Sequence, residues 1–193
     1  MTAADRAARR RRAPRNVILI GARGCGKTTV GRALAARLGW EFVDTDERIV
    51  ARAGKSIRAI FADDGEPAFR QLESELVDEV TRDTQQVISA GGGAVLAQRN
   101  RAALSAAGVC IWLTAPPEEL HRRLESDPQT AETRPALTGR AALDEIRHLL
   151  TQREPLYAAV AEHVVPTAGQ PVEQIVETLL GLVAEGRGSA EGP

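Results

Sequence analysis

A lysine and a threonine follow three closely spaced glycines in Gly21-Ala-Arg-Gly24-Cys25-Gly26-Lys27-Thr28, and this run leaves directly from the apolar stretch Val17-Ile18-Leu19-Ile20. That grouping suits anion binding. The glycines let the backbone turn with its N–H groups inward, and a helix starting near Lys27 adds its positive dipole end to the same cavity. Lys27 can reach the β- and γ-phosphates of a nucleoside triphosphate, while the Thr28 hydroxyl can ligate a bridging magnesium ion. A plain strand-to-helix turn would account for the glycines but not for Lys27 and Thr28.

Asp44 and Asp46 stand at the carboxyl end of the second predicted strand, the edge where parallel sheets place their ligands. One carboxylate can hold a metal ion or its water, and the other can accept a proton from a hydroxyl. Asp46 can also cap a helix beginning at Glu47, which is compatible with catalysis. Gly91-Gly92-Gly93 ends the third predicted strand, where missing side chains let a ligand reach the backbone. A flexible turn would use the same residues. Arg58, Arg70, Arg134 and Arg153 offer planar forks for a carboxylate or phosphate, but position alone does not separate them from arginines on a solvated face. His121, His148 and His163 lack ligand spacing and read as structural.

To bring these residues together the chain needs a parallel sheet covered on both faces. Apolar runs at 17–20, 41–44, 87–90, 109–113 and 163–165 read as its five buried strands, with helical segments between them. The first helix spans 27–38 and stops at Gly39. Three helical pieces between 46 and 82, broken at Gly54 and at Gly65-Glu66-Pro67, form an insertion suited to covering a substrate. Further helices are expected at 97–107, after Pro116-Pro117 and carrying His121, Arg122 and Arg123, at 141–160 and at 172–183. The polar stretch 126–139, with two prolines, reads as a mobile loop.

The 193 residues with net charge −1 fit one domain of 16–184, flanked by a basic tail at 1–15 and a short tail at 185–193. Near-neutral charge gives no footprint of nucleic-acid binding, and no apolar run is long enough to span a membrane. A cytoplasmic location and a small-molecule partner are expected. Cys25 and Cys110 have no spaced Cys/His neighbours for zinc, and no structural disulfide is expected.

The motifs in this order resemble shikimate kinase over 16–183. Those that carry the resemblance are GARGCGKTTVGR from Gly21 to Arg32, Asp44-Thr45-Asp46, Ser56 to Phe61 with Gly65-Glu66 and Phe69-Arg70, Gly91-Gly92-Gly93-Ala94, Arg134-Pro135, and Arg153-Glu154-Pro155-Leu156-Tyr157. The resemblance implies an α/β, three-layer P-loop NTPase fold with a five-stranded parallel sheet, a substrate-binding region at about 46–82 and a lid at about 126–140. It implies transfer of phosphate from ATP to the 3-hydroxyl of shikimate, with Mg²⁺ and a monomeric enzyme. By the same resemblance Gly24, Cys25, Gly26, Lys27, Thr28 and Thr29 cradle the ATP phosphates, and Thr28 and Asp44 serve the metal. Asp46 holds the acceptor hydroxyl and acts as base. Arg70, oriented by Glu73, and Arg153 clamp the carboxylate, and Gly91, Gly92 and Gly93 contact the ring. Arg134 reaches over the transferring phosphate, while Arg123 and the 167–171 loop with Gln170 flank adenine. A gluconate-kinase-like enzyme and a non-catalytic ATP-binding regulator are the alternatives; the paired arginines weigh against the first, and the intact Lys27, Thr28, Asp46 and Arg134 set against the second.

Overall fold

The computed structural model describes residues 15–126 and 140–188. Residues 127–139 of the lid expected at about 126–140, with Arg134, and the outer parts of both tails lie outside the described residues. Five parallel strands run β1 (Asn16–Ile20), β2 (Glu41–Asp44), β3 (Gln86–Ser89), β4 (Val109–Thr114) and β5 (His163–Pro166), ordered β2-β3-β1-β4-β5 across the sheet. The helices are α1 (Lys27–Leu38), α2 (Thr45–Ala53), α3 (Ile57–Asp63), α4 (Gly65–Val80), α5 (Gln98–Ala107), α6 (Pro117–Glu125), α7 (Arg140–Val160) and α8 (Val172–Gly188).

Alternation along the strands divides the core between the two faces of the sheet. Ile18 and Ile20 join Val43, Ile88 and Cys110 in a cluster beneath α2 to α5, while Val17 and Leu19 join Val87, Ile111 and Leu113 beneath α1 and α8. Both faces of β1 are therefore dry, which is why it reads as an unbroken apolar run. Burying one such leucine or isoleucine contributes about 1.5–3 kcal/mol. Both cysteines are buried in this core, and neither is in a disulfide.

The observed boundaries correct two expectations. α2 begins at Thr45 rather than Glu47, because Asp44 accepts from the Asp46 and Glu47 amides and is itself the cap. The expected break between helical pieces is present but falls at Asp64, so that Gly65-Glu66-Pro67 forms the first turn of α4 rather than the gap. Proline is tolerated in a first turn, where its missing N–H has no intrahelical partner.

At the opposite edge from the glycine loops, buried Asn16 ties the sheet to its connections. Its Oδ1 accepts from the Gln86 amide at 3.0 Å, and its Nδ2 donates to the Asp83 carbonyl at 2.9 Å. Gly108 passes so close that a Cβ there would lie 2.0 Å from the Asn16 carbonyl oxygen. Its φ of 176° is extended, so only space demands glycine. Gly108→Ala is expected to lower unfolding free energy by roughly 1–3 kcal/mol, as overpacking against fixed backbone does; urea denaturation of the two proteins measures it.

Candidate active site

The chemistry-bearing residues meet at the carboxyl ends of β1, β2 and β3, where open α/β sheets hold ligands. Gly24 and Gly26 take φ of 82° and 97°, the left-handed region that a tight phosphate loop needs. The Lys27 ammonium donates to the Gly21 and Ala22 carbonyls, both at 2.9 Å, so it is folded along its own loop. Next to it the Thr28 hydroxyl donates to Asp44 Oδ2 at 2.8 Å. Asp44 thus divides its two oxygens between Thr28 and the cap of α2.

A cleft of about 900 Å³ runs over this loop, bordered by Lys27, Thr28, Thr29, Asp44, Asp46 and Gly92 and reaching Arg123, Thr167 and Gln170. Arg123 points to the loop, its Nη1 donating to the Gly24 carbonyl at 3.2 Å and to Thr167 Oγ1 at 3.0 Å. Arg122 faces outward. Gln170 is half-buried and donates to the Pro166 carbonyl.

A second cavity of about 320 Å³ opens beside the first, with Arg70, Glu73, Gly93, Arg153 and Tyr157 in its wall. Arg70 Nη1 donates to Glu73 Oε2 at 2.8 Å, and its Nε and Nη2 both reach Glu66 Oε1. Burial works to lower the Arg70 pKa, but the charges and hydrogen bonds of Glu73 and Glu66 outweigh it and leave the net shift upward. Glu73 is buried, while Glu66 is more than half exposed. Arg153 makes one long contact of 3.5 Å to the Gly92 carbonyl.

Two glycines admit these side chains. A Cβ on Gly91 would lie 2.7 Å from Asp46 Oδ1, and one on Gly93 would lie 2.3 Å from Arg70 Nη1. Asp46 thus packs against Gly91 and Arg70 against Gly93. Arg58 is not part of either cavity wall.

A family model described as shikimate kinase matches residues 23–184. The chain belongs to the shikimate kinase family. It is an ATP-dependent kinase. The shikimate kinase of Nitratidesulfovibrio vulgaris is 46% identical over 168 residues, covering 87% of this chain and 95% of its own. Shikimate kinase 2 of Dickeya chrysanthemi is 44% identical, covering 84% of this chain and 93% of its own. Among solved structures, shikimate kinase from Acinetobacter baumannii in complex with shikimate matches with a TM-score of 0.81 at 35% identity, over 88% of this chain and 92% of that one.

Three residues at the kinase cleft escaped the sequence reading as individual contributors. Thr45 accepts from the Gly91 amide at 2.8 Å, tying β2 to the glycine loop. Arg23 borders both cavities. Tyr157 reaches the Gly92 carbonyl at 2.6 Å. Only Tyr157 carried a usable signal, since it lies one turn after Arg153 on the same helix face.

Arg122 and Arg123 share Glu119 as acceptor, each with a 2.7 Å contact. The Arg122 hydrogen bond, then that of Arg123, pulls the Glu119 pKa from 4.5 down to about 2. A depressed carboxyl pKa stabilises the fold fully above the unfolded value and loses that contribution as pH falls through the folded one, here between 4.5 and about 2. NMR titration of the Glu119 carboxyl should find its midpoint near the lower figure, and Arg122→Ala should raise it; a midpoint at the ordinary value in the parent protein would refute the pairing.

Proposed function

We propose that this enzyme transfers the γ-phosphate of ATP to the 3-hydroxyl of shikimate, giving shikimate 3-phosphate and ADP. One observation carries the reading: a carboxylate able to take a proton, Asp46, and a guanidinium fork, Arg70, fill the space left by two glycines immediately beside the Lys27 loop. A ring bearing both an acid and a hydroxyl matches that pairing. Building both clefts from one chain supports the monomer as the working unit.

In this reading the γ-phosphate draws Lys27 away from the Gly21 and Ala22 carbonyls, which otherwise hold it folded along the loop. Asp46 aligns the acceptor hydroxyl with the phosphorus and takes its proton as the new O–P bond forms and the bond to ADP breaks. Arg70 and Arg153 fix the other end of the acceptor, and alignment of this kind is worth about 7–11 kcal/mol of barrier. Arg123 and the 167–171 loop with Gln170 hold the base. Arg134, outside the described residues, completes the set by neutralising the transferring oxygens.

The residues present fit Mg²⁺. Among the described residues no cluster of three or more His, Cys, Asp or Glu could cage a metal, and magnesium accompanying ATP needs only one or two protein oxygens beside phosphates and water. Thr28 would ligate it and Asp44 would hold its water, supplying charge neutralisation on the phosphates.

A coupled ADP-release assay with shikimate, gluconate and adenylate as rival acceptors tests the reading, and turnover with shikimate alone is expected. Asp46→Asn should lower kcat by roughly 10²–10⁴, the contribution of a general base; a loss of less than tenfold would sink its role. Arg153→Lys should raise the shikimate KM far more than the ATP KM, because an ammonium cannot reproduce a planar fork. Equal effects on the two substrates would refute the clamp.

A further inference from the structure

Two side-chain hydrogen bonds join α1, which opens with Lys27, to the junction of β2 and α2, which carries Asp46. At the near end the Thr28 hydroxyl donates to Asp44 Oδ2 at 2.8 Å. One helical turn further along α1, Arg32 Nη2 donates to both carboxylate oxygens of Glu47, each at 2.7 Å, and Glu47 directly follows Asp46. The mechanism above uses the first of these bonds and has no role for the second.

Arg32 is held in place before it meets Glu47. Its guanidinium carbon lies 4.8 Å from the centre of the Phe42 ring on β2. That ring fills the space beside Gly31, where a Cβ would lie 2.6 Å from Phe42 Cε2. An exposed ion pair normally loses most of its attraction to the ordering of two long side chains, and stacking on a seated ring removes part of that cost. Both partners are nevertheless more than half exposed, so the pair adds little to the stability of the whole fold.

Its effect is geometric. A single tie at Asp44 is a pivot, whereas two ties spaced about 5 Å apart along α1 fix the angle at which α2 leaves the sheet. Asp46 lies between the two points of attachment. We propose that Arg32 and Glu47 are positioning residues that set the spacing between the Lys27 loop and Asp46, and with it the alignment of phosphate donor and acceptor hydroxyl. This rests on the roles given to Lys27 and Asp46 above.

The test is a double-mutant cycle of Arg32→Gln, Glu47→Gln and the two combined, read as the rate of phosphate transfer in a single turnover. Each single variant is expected to lose roughly five- to tenfold, because small misplacements of aligned groups are penalised steeply, and the double variant should be no slower than the slower single. Both KM values should stay within about twofold of the parent, since neither residue touches a substrate in this reading, and the urea midpoint should not move. A through-space charge effect predicts a different pattern: Glu47 borders the nucleotide cleft, so removing its negative charge would lower the ATP KM and removing the positive charge of Arg32 would raise it. Those opposed shifts, additive losses, a transfer rate within twofold of the parent, or a urea midpoint that falls in step with the rate would overturn the positioning role alone. A parent that phosphorylates no shikimate would refute the functional reading instead, and the inference with it.

Discussion

Volume at the carboxyl edge of β3 is what the rest of the site depends on. Asp46 and Arg70 occupy space that a Cβ at Gly91 or Gly93 would take, at approaches of 2.7 and 2.3 Å that no such atom tolerates. Neither glycine has a positive φ, so each is there for room. Gly24 and Gly26 differ in kind, being glycine for their left-handed backbone. One set of glycines shapes the phosphate loop, and the other lets side chains from α2 and α4 enter beside it. The two sets meet where Gly92 touches the Gly21–Arg23 backbone.

Charge in the unliganded protein is satisfied internally, and the way it is satisfied differs along the site. Lys27 rests on two carbonyls of its own loop, which part from it without leaving a buried charge behind. Arg70 is held on one side by buried Glu73 and on the other by exposed Glu66. Water can replace Glu66 at little cost, whereas stripping the partner from Glu73 would strand a buried carboxylate. Among the described residues Arg153 pairs with no carboxylate and has the Gly92 carbonyl at 3.5 Å and the Tyr157 hydroxyl beside it. The two guanidinium groups are therefore unequal, Arg70 rigid and Arg153 adaptable, so a carboxylate arriving between them has a fixed side to register on and a side that can close.

The fold was largely legible because its signals are local. Unbroken apolar strands and a first helix ending at Gly39 follow from burial on both sheet faces and from a left-handed cap at φ 67°. Misreadings came where the same residue type serves two structures, as with Gly65-Glu66-Pro67, which suits a turn and a first helical turn equally. Asp44 was expected near a metal and not as the cap of α2, yet it takes part in both a Thr28 hydrogen bond and the cap. At the site, phosphate-loop residues were readable from spacing alone. The grouping of Arg70, Arg153 and Gly93 was not, since they are far apart in sequence and arginine is common; the family resemblance singled them out. Thr45 acts through a backbone group of another loop, a contact that leaves no pattern in one sequence, whereas Tyr157 is marked only by its place one helical turn after Arg153.

Strand order explains why these parts face one another. β1 is central, with β3 and β2 on one side and β4 and β5 on the other, so the connection after β1 runs toward β2 and that after its neighbour β4 toward β5, opening a crevice above their carboxyl ends. The Lys27 loop occupies that crevice because it is the direct continuation of β1. Asp46 and the Gly91–Gly93 turn arrive from the β2–β3 side, and Arg123 with the 167–171 loop arrives from the β4–β5 side. A donor lying on the second side and an acceptor on the first can therefore meet only over the phosphate loop. Tyr157 comes from α7, which packs against β4, and donates to the Gly92 carbonyl, so the turn after β3 is tied to the β4 side of the crevice as well as to its own.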